Sequence, residues 1–166
     1  ETYKVHGGIA AKGSNGFGVV VAALGEQMLR VTAAMADGTL TWCTGPATLS
    51  SHTIPTINRA AEEFGRPAPR VIAALPVCVT QDKAAAAERA AKVFAVYGTL
   101  PSYRAMLDKE GAAGPADIAI TGSIAEVQDR VAALADIGVT DFAAVEFGAT
   151  PDEIAETRAA IKGLLK

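Results

Sequence analysis

Four times in this chain a short apolar run breaks at a turn and gives way at once to a helix-forming segment. Strand–helix units in series build parallel sheets through right-handed crossovers, with the strands buried beneath the helices. That order sets the class as α/β. The first unit is the sharpest: Val19-Val20-Val21-Ala22-Ala23-Leu24 stops at Gly25, and Glu26-Gln27-Met28-Leu29 begins a helix. A strand that ends on a helix N-terminus offers unbonded backbone N–H groups and the positive end of a helix dipole to an anion. If the chain holds a phosphate-bearing cofactor, the phosphate is expected here.

Read along its length, the sequence predicts strands at 19–24, 39–42, 71–79 and 142–147, with a short extended piece at 118–122. Predicted helices cover 26–36, 46–64, 83–97, 100–109, 123–137 and 151–165. Met28, Leu29, Val31 and Met35 are spaced as one inward stripe on the first helix. Leu49, Ile54, Ile57, Ala61 and Phe64 form the expected inner face of the second, which Pro55 should kink or split. Pro76 should bend or bulge the third strand. Asp82 is a helix N-cap, and Ser123 with Glu126 forms a capping box. Residues 1–18, with Gly7, Gly8, Gly13, Gly16 and Gly18, read as a loop.

At 166 residues and 17.0 kDa one domain is expected. Half of the residues are hydrophobic and 20% charged, with a mean hydropathy of +0.25. That is apolar for a free-standing domain, and fits either a buried parallel sheet or a surface that meets another chain. A net charge of −3 with no basic block argues against a nucleic-acid partner. No apolar run reaches the roughly 20 residues that span a bilayer, and the first residues lack a signal-peptide design, so a cytoplasmic protein is expected. Cys43, Cys78, His6 and His52 have no metal-ligand spacing, and the cysteines read as packed thiols. No metal site is expected.

Several stretches carry a family resemblance: Ala22-Ala23-Leu24-Gly25 before Met28-Leu29, Ala36-Asp37-Gly38, and Trp42 ahead of Thr44-Gly45-Pro46. Ile54-Pro55-Thr56, Gly65-Arg66-Pro67, Leu75-Pro76-Val77-Cys78-Val79-Thr80, the run from Tyr97 to Leu107, and Ile137-Gly138-Val139-Thr140-Asp141-Phe142 continue it. In order and spacing the chain resembles the bacterial luciferase-like monooxygenase superfamily, most closely the branch using the deazaflavin coenzyme F420. Members are (β/α)8 TIM barrels roughly twice this long. The resemblance therefore implies that residues 19–166 are the carboxyl-terminal half of such a barrel, about four βα units, and that 1–18 is the loop before the fifth strand.

By the same resemblance the parent enzyme passes a hydride between F420 and a small organic substrate, with FMN as the alternative cofactor. The partner is a missing amino-terminal half or a second copy; a self-assembling half-barrel without activity is the rival reading. Ala22, Ala23, Leu24 and Gly25 would hold the phosphate or ring edge, with Gln27 or Met28 nearby. Glu26 stands where a proline is common, and must point away from an anion. Thr41, Trp42, Thr44 and Gly45 would line the same mouth, and Arg104 is a candidate for the cofactor's acidic tail. Groups that touch the reactive ring belong to the other half, so no catalytic residue is assigned. Arg104 can instead pair with Asp108 at (i, i+4), Trp42 can serve as packing, and His52 reads as a solvated or capping residue on a helix flank. A small doubly wound domain is the remaining fold alternative, and its strand order would reverse.

Overall fold

The computed structural model describes residues 17–165; the predicted loop at 1–18 lies almost wholly outside them. Strands β1 (Val20–Ala22), β2 (Gly38–Trp42), β3 (Arg70–Val79) and β5 (Asp141–Glu146) lie side by side in chain order, all parallel. For these four strands neighbours in chain order are neighbours in the sheet, as in an arc of a (β/α)8 barrel, and the reversal of a doubly wound sheet is absent among them; the short β4 stands outside this order. The helices are α1 (Glu26–Met35), α2 (Pro46–Thr48), α3 (Ile54–Glu63), α4 (Lys83–Val93), α5 (Pro101–Glu110), α6 (Ile124–Asp136) and α7 (Pro151–Lys162).

The short β4 (Ile120–Gly122) pairs with Val77–Val79 of β3. It also explains why Pro76 opens no bulge, one of the two distortions expected from sequence: the register with β5 runs through Pro76↔Val145 without a skipped residue. Arg70 N–H bonds back to Asp37 and Thr80 N–H to Gly122, so the even-numbered amides of β3 face the β2 and β4 edge. On that edge β2 pairs as far as Ala74 and β4 starts at Val77. Pro76 falls in the gap, where a missing donor leaves no bond unmade.

Odd-numbered residues of β3 (Val71, Ala73, Leu75, Val77, Val79) join Leu29, Leu49, Ile57, Leu107, Val127 and Leu134 in the main core. Each of these large side chains contributes about 1.5–3 kcal/mol by leaving water. The predicted stripe of α1 is only partly right. Leu29, Thr32 and Ala33 are its buried residues, whereas Met28, Val31 and Met35 are exposed. Leu29, Thr32 and Ala33 share the face toward the sheet; the other side of α1, at the edge strand, has no neighbour among the described residues. Phe64, placed in the core by its spacing, is likewise 48% exposed and lies 5.8 Å from the Arg30 guanidinium. Pro55 does interrupt the long second helix: a π turn at Leu49–Thr53 precedes α3 and absorbs the lost i→i−4 bond.

Two of the stretches that carry the resemblance meet at the amino-terminal ends of the strands. Arg66 donates to the carbonyls of Ala34 (3.0 Å) and Ala36 (2.8 Å) at the end of α1, and stands 3.9 Å from Asp37. Asp37 in turn accepts the Val19 N–H at 2.7 Å. The Ala-Asp-Gly and Gly-Arg-Pro stretches are thus one brace, on the barrel face associated with stability. Arg66→Met is expected to lower the unfolding free energy by about 2–3 kcal/mol, read from urea denaturation, because two carbonyls at a helix C-terminus lose a charged donor.

Three carboxylates link stability to pH. Bonds from Arg70, then Thr140, hold Asp141 below the usual range, and Arg158 does the same for Glu146. Lys83, then the Ser123 backbone and hydroxyl, bring Glu126 down to about 2 from 4.5. A depressed folded pKa adds stability above the unfolded value, and that stability is lost as pH falls through the folded one. The melting temperature is therefore expected to drop between pH 4.5 and about 2, with part of the drop removed in Glu126→Gln.

Candidate functional site

A cavity of about 280 Å³ opens at the carboxyl ends of β1 and β2, where ligands bind in barrels of this class. Ala22, Ala23, Leu24, Gly25 and Met28 form one side, Leu40 and Trp42 the floor, and Ser102 and Tyr103 at the start of α5 the far wall. β1 ends at Ala22, opposite Leu40, while β2 runs two residues further. That stagger leaves Trp42 facing the cavity beside the Leu24–Gly25 turn.

The helix N-termini divide into two groups. Asp82, Ser123 and Thr150 cap α4, α6 and α7 with their own side chains. Among the described residues α1 and α5 begin with no side-chain cap and no carboxylate on their amides, and both line this cavity; α3 also lacks a side-chain cap, but it continues directly from the π turn. In α1 the first intrahelical bond runs from Leu29 N–H to the Gly25 carbonyl at 3.0 Å. The amides of Glu26, Gln27 and Met28 precede it and have no partner within the helix. Gly25 itself is extended (φ −78°, ψ 154°), and a Cβ there would meet nothing within 4 Å. Space for an anion exists beside those amides. Glu26 does not obstruct it, since its carboxylate lies toward Arg59 of α3 at 3.9 Å.

The other predicted site residues sit elsewhere. Thr41 is fully buried on the opposite face of β2 from Leu40 and Trp42, with its hydroxyl toward the Ile72 carbonyl. Thr44 is buried and its hydroxyl reaches the Trp42 carbonyl at 3.4 Å. Gly45 starts α2, but Glu110 already occupies that helix end: its carboxylate accepts the Ala47 N–H (3.1 Å) and the Thr48 N–H (2.7 Å), and a Cβ on Gly45 would strike it. Arg104 spends its guanidinium on Asp108 (2.8 Å) and on the carbonyls of Ala112 (2.6 Å) and Ala113 (2.8 Å), fastening the end of α5. It does not line the cavity.

His52, read from sequence as a solvated or capping residue, has a different place. The π turn projects its ring toward β1, and Nε2 lies 3.1 Å from the Leu24 carbonyl. A carbonyl only accepts, so Nε2 carries the proton and braces the turn. No local pattern signals this contact or that of Glu110, since each joins residues far apart in the chain. Cys43 turns the chain out of β2 at a positive φ of 50°, and burial pushes its thiol up to about 12, so it is inert at neutral pH. Cys78 is also buried, and burial outweighs the nearby Arg89 to raise its pKa. Glu146 pairs with Arg158 in two bonds of 2.8 and 2.6 Å. Among the described residues no three His, Cys, Asp or Glu side chains form a metal-binding group, and no helix is long and apolar enough to cross a membrane.

Residues 9–165 match the family described as luciferase-like monooxygenase, and the chain belongs to that family. Among solved structures, the coenzyme F420-dependent tetrahydromethanopterin reductase from Methanopyrus kandleri is similar at 21% identity and a TM-score of 0.65, over 83% of this chain and 47% of that one. An F420-dependent secondary alcohol dehydrogenase in complex with an F420-acetone adduct is similar at 16% identity and 0.65, over 89% and 50%. The oxygenating constituent of 3,6-diketocamphane monooxygenase from Pseudomonas putida, in complex with FMN, gives 14% and 0.60, over 86% and 46%. These likenesses establish the fold, and the chain spans about half the length of each. No curated protein matches.

Proposed function

We propose that this chain is the carboxyl-terminal half, residues 19–166, of a luciferase-like oxidoreductase that uses F420 and acts on a small organic substrate. One observation carries the reading: the Leu24–Gly25 turn opens the uncapped start of α1 into a cavity walled otherwise by Leu40, Trp42, Ser102 and Tyr103. The coenzyme, when bound, supplies a carbon that gives or takes a hydride. This half supplies the grip. Amides of Glu26, Gln27 and Met28 donate to the phosphate, the dipole of α1 favours its charge, and His52 holds the turn in place. Leu40 and Trp42 keep water from the far side. Thr41, Thr44 and Arg104 stay outside this reading because their polar side chains are engaged within the fold, and Gly45 because the Glu110 carboxylate fills the helix end beside it.

FMN is the second reading, favoured by the similar monooxygenase whose structure contains it; both coenzymes carry a phosphate that suits the same turn. The remaining surface calls for a partner. Among the described strands β1 pairs only with β2, and β5 only with β3, which leaves two open parallel edges. Met28, Val31, Met35 and Phe64 are exposed beside the first. An amino-terminal half, or else a second copy, would cover them. Free Cys43 and Cys78 accord with a reducing cytoplasm.

The test is equilibrium dialysis of the purified chain against F420 and against FMN. F420 should bind more tightly, and inorganic phosphate should compete with both. Retention of neither coenzyme would overturn the oxidoreductase reading in favour of a non-enzymatic half-barrel.

A further inference from the structure

His52 owes its place to a local departure from helical geometry. Between α2 and α3 the chain makes a π turn, in which the Ile54 N–H bonds to the Leu49 carbonyl five residues back. The Ser50 and Ser51 hydroxyls donate to the Ala47 carbonyl before it, at 3.1 and 2.7 Å. π turns are uncommon and recur at functional sites. Here the result is a half-buried ring that reaches the turn after β1 and donates from Nε2 to the Leu24 carbonyl at 3.1 Å.

The identity of the acceptor matters. The Leu24 carbonyl and the Gly25 N–H belong to one planar trans peptide unit and point opposite ways. That N–H has no partner among the described residues. A donor on the carbonyl polarises the unit and strengthens the N–H at its other end. The second ring nitrogen of His52, Nδ1, also has no partner among the described residues. Imidazoles ordinarily take a second proton between about pH 5 and 8. Little else around the ring carries charge: β1, β2 and α2 contain no Asp, Glu, Lys or Arg, and the Cys43 thiol after β2 is neutral. On the flanking helices Glu26 faces Arg59 at 3.9 Å, Arg30 pairs with Glu63 at 2.8 Å, and Glu62 lies at the far end of α3. Glu110 is held by the amides of α2.

We propose that His52 is a positioning residue for the anion at the start of α1, and that its charge sets how tightly the anion is held. Neutral, it fixes the Leu24–Gly25 peptide. Protonated at Nδ1, it adds a positive charge behind that peptide without touching what binds in front. The bonds in between put this charge roughly 8 Å from an anion on the Gly25 amide. At that separation one unit charge changes the affinity for a dianion by about 10-fold. The inference rests on the phosphate reading above for its site, and goes beyond it by linking binding there to uptake of a proton.

Sulfate is the probe, because it stays doubly charged where a phosphate monoester loses charge, near about pH 6. Amide shifts at Gly25, Glu26, Gln27 and Met28 report its binding. Wild-type affinity should rise about 10-fold on going from about pH 8 to about pH 5.5. Between those limits the heat of binding should depend on the ionisation enthalpy of the buffer, since a proton is taken up. His52→Gln keeps a donor for Leu24 and loses the charge, so it should match the wild type at the higher pH and show no rise. His6→Gln, the same change at the other histidine of the chain, should keep the rise. A full rise in His52→Gln, or its loss in His6→Gln, would overturn the assignment to His52. Should His52→Gln fail to fold, the wild-type pH profile and proton uptake decide. Affinity that is flat with pH, with the shifts still centred on Gly25 to Met28, would overturn the proton linkage and leave the phosphate reading standing. No shift at those amides with either sulfate or FMN would overturn both.

Discussion

Gly25→Asp should make this protein more stable and less able to bind. Gly25 is the N-cap of α1 in extended conformation, with open space around its Cα. Aspartate there can accept an amide of the first turn and place a negative charge on the positive end of the dipole. The fold should gain about 0.5 kcal/mol. The same carboxylate occupies the donors assigned to the phosphate and repels it. Affinity for FMN or F420 should fall about 100-fold, equivalent to about 2.7 kcal/mol. Opposite signs in one variant separate a binding site from a helix end that merely lacks a cap. Thermal melting and dialysis of one preparation give both numbers; undiminished coenzyme affinity would remove the turn from the site.

Gly38→Ala is expected to be strongly damaging, the cost of a single methyl group against backbone. Gly38 begins β2 and pairs with Val20 on one side and Arg70 on the other. A Cβ would collide with the Arg70 carbonyl oxygen and come within 2.8 Å of its Cβ. Those atoms belong to the central strand, so the conflict cannot be relieved by swinging a side chain aside. The cost should be about 3 kcal/mol or more, a large share of the roughly 5–15 kcal/mol that stabilises a domain. Gly114→Ala, where nothing lies within 4 Å, is the control and should change stability by less than about 0.5 kcal/mol. Equal urea midpoints for the two variants would refute this account of the Ala-Asp-Gly motif.

Local pattern carried much of the fold. The apolar runs, the Asp82 cap and the Ser123–Glu126 box lie where the sequence puts them, because each depends on residues a few positions apart. The failures have a common cause. Met28, Val31, Met35 and Phe64 carry the hydrophobicity of a core, yet periodicity cannot tell the core of one chain from a face awaiting another. Pro76 was expected to distort β3 because its N–H is missing, but only the placement of β4 reveals that no partner stood there. At the site, the Leu24–Gly25 junction was legible as a strand meeting a helix. Gly45 looked equivalent from sequence; Glu110, brought from α5 by the packing, makes it different. His52 against Leu24 is long-range in the same way.

The central claim is that the amides opening α1, and not those opening α2, receive an anionic coenzyme. Amide proton and nitrogen shifts recorded during titration with inorganic phosphate and then FMN test it most directly. The account predicts that the largest changes fall at Gly25, Glu26, Gln27 and Met28, with Ala47 and Thr48 nearly still under the Glu110 carboxylate. Changes centred on Ala47 and Thr48, or scattered without a maximum at Gly25, would contradict it.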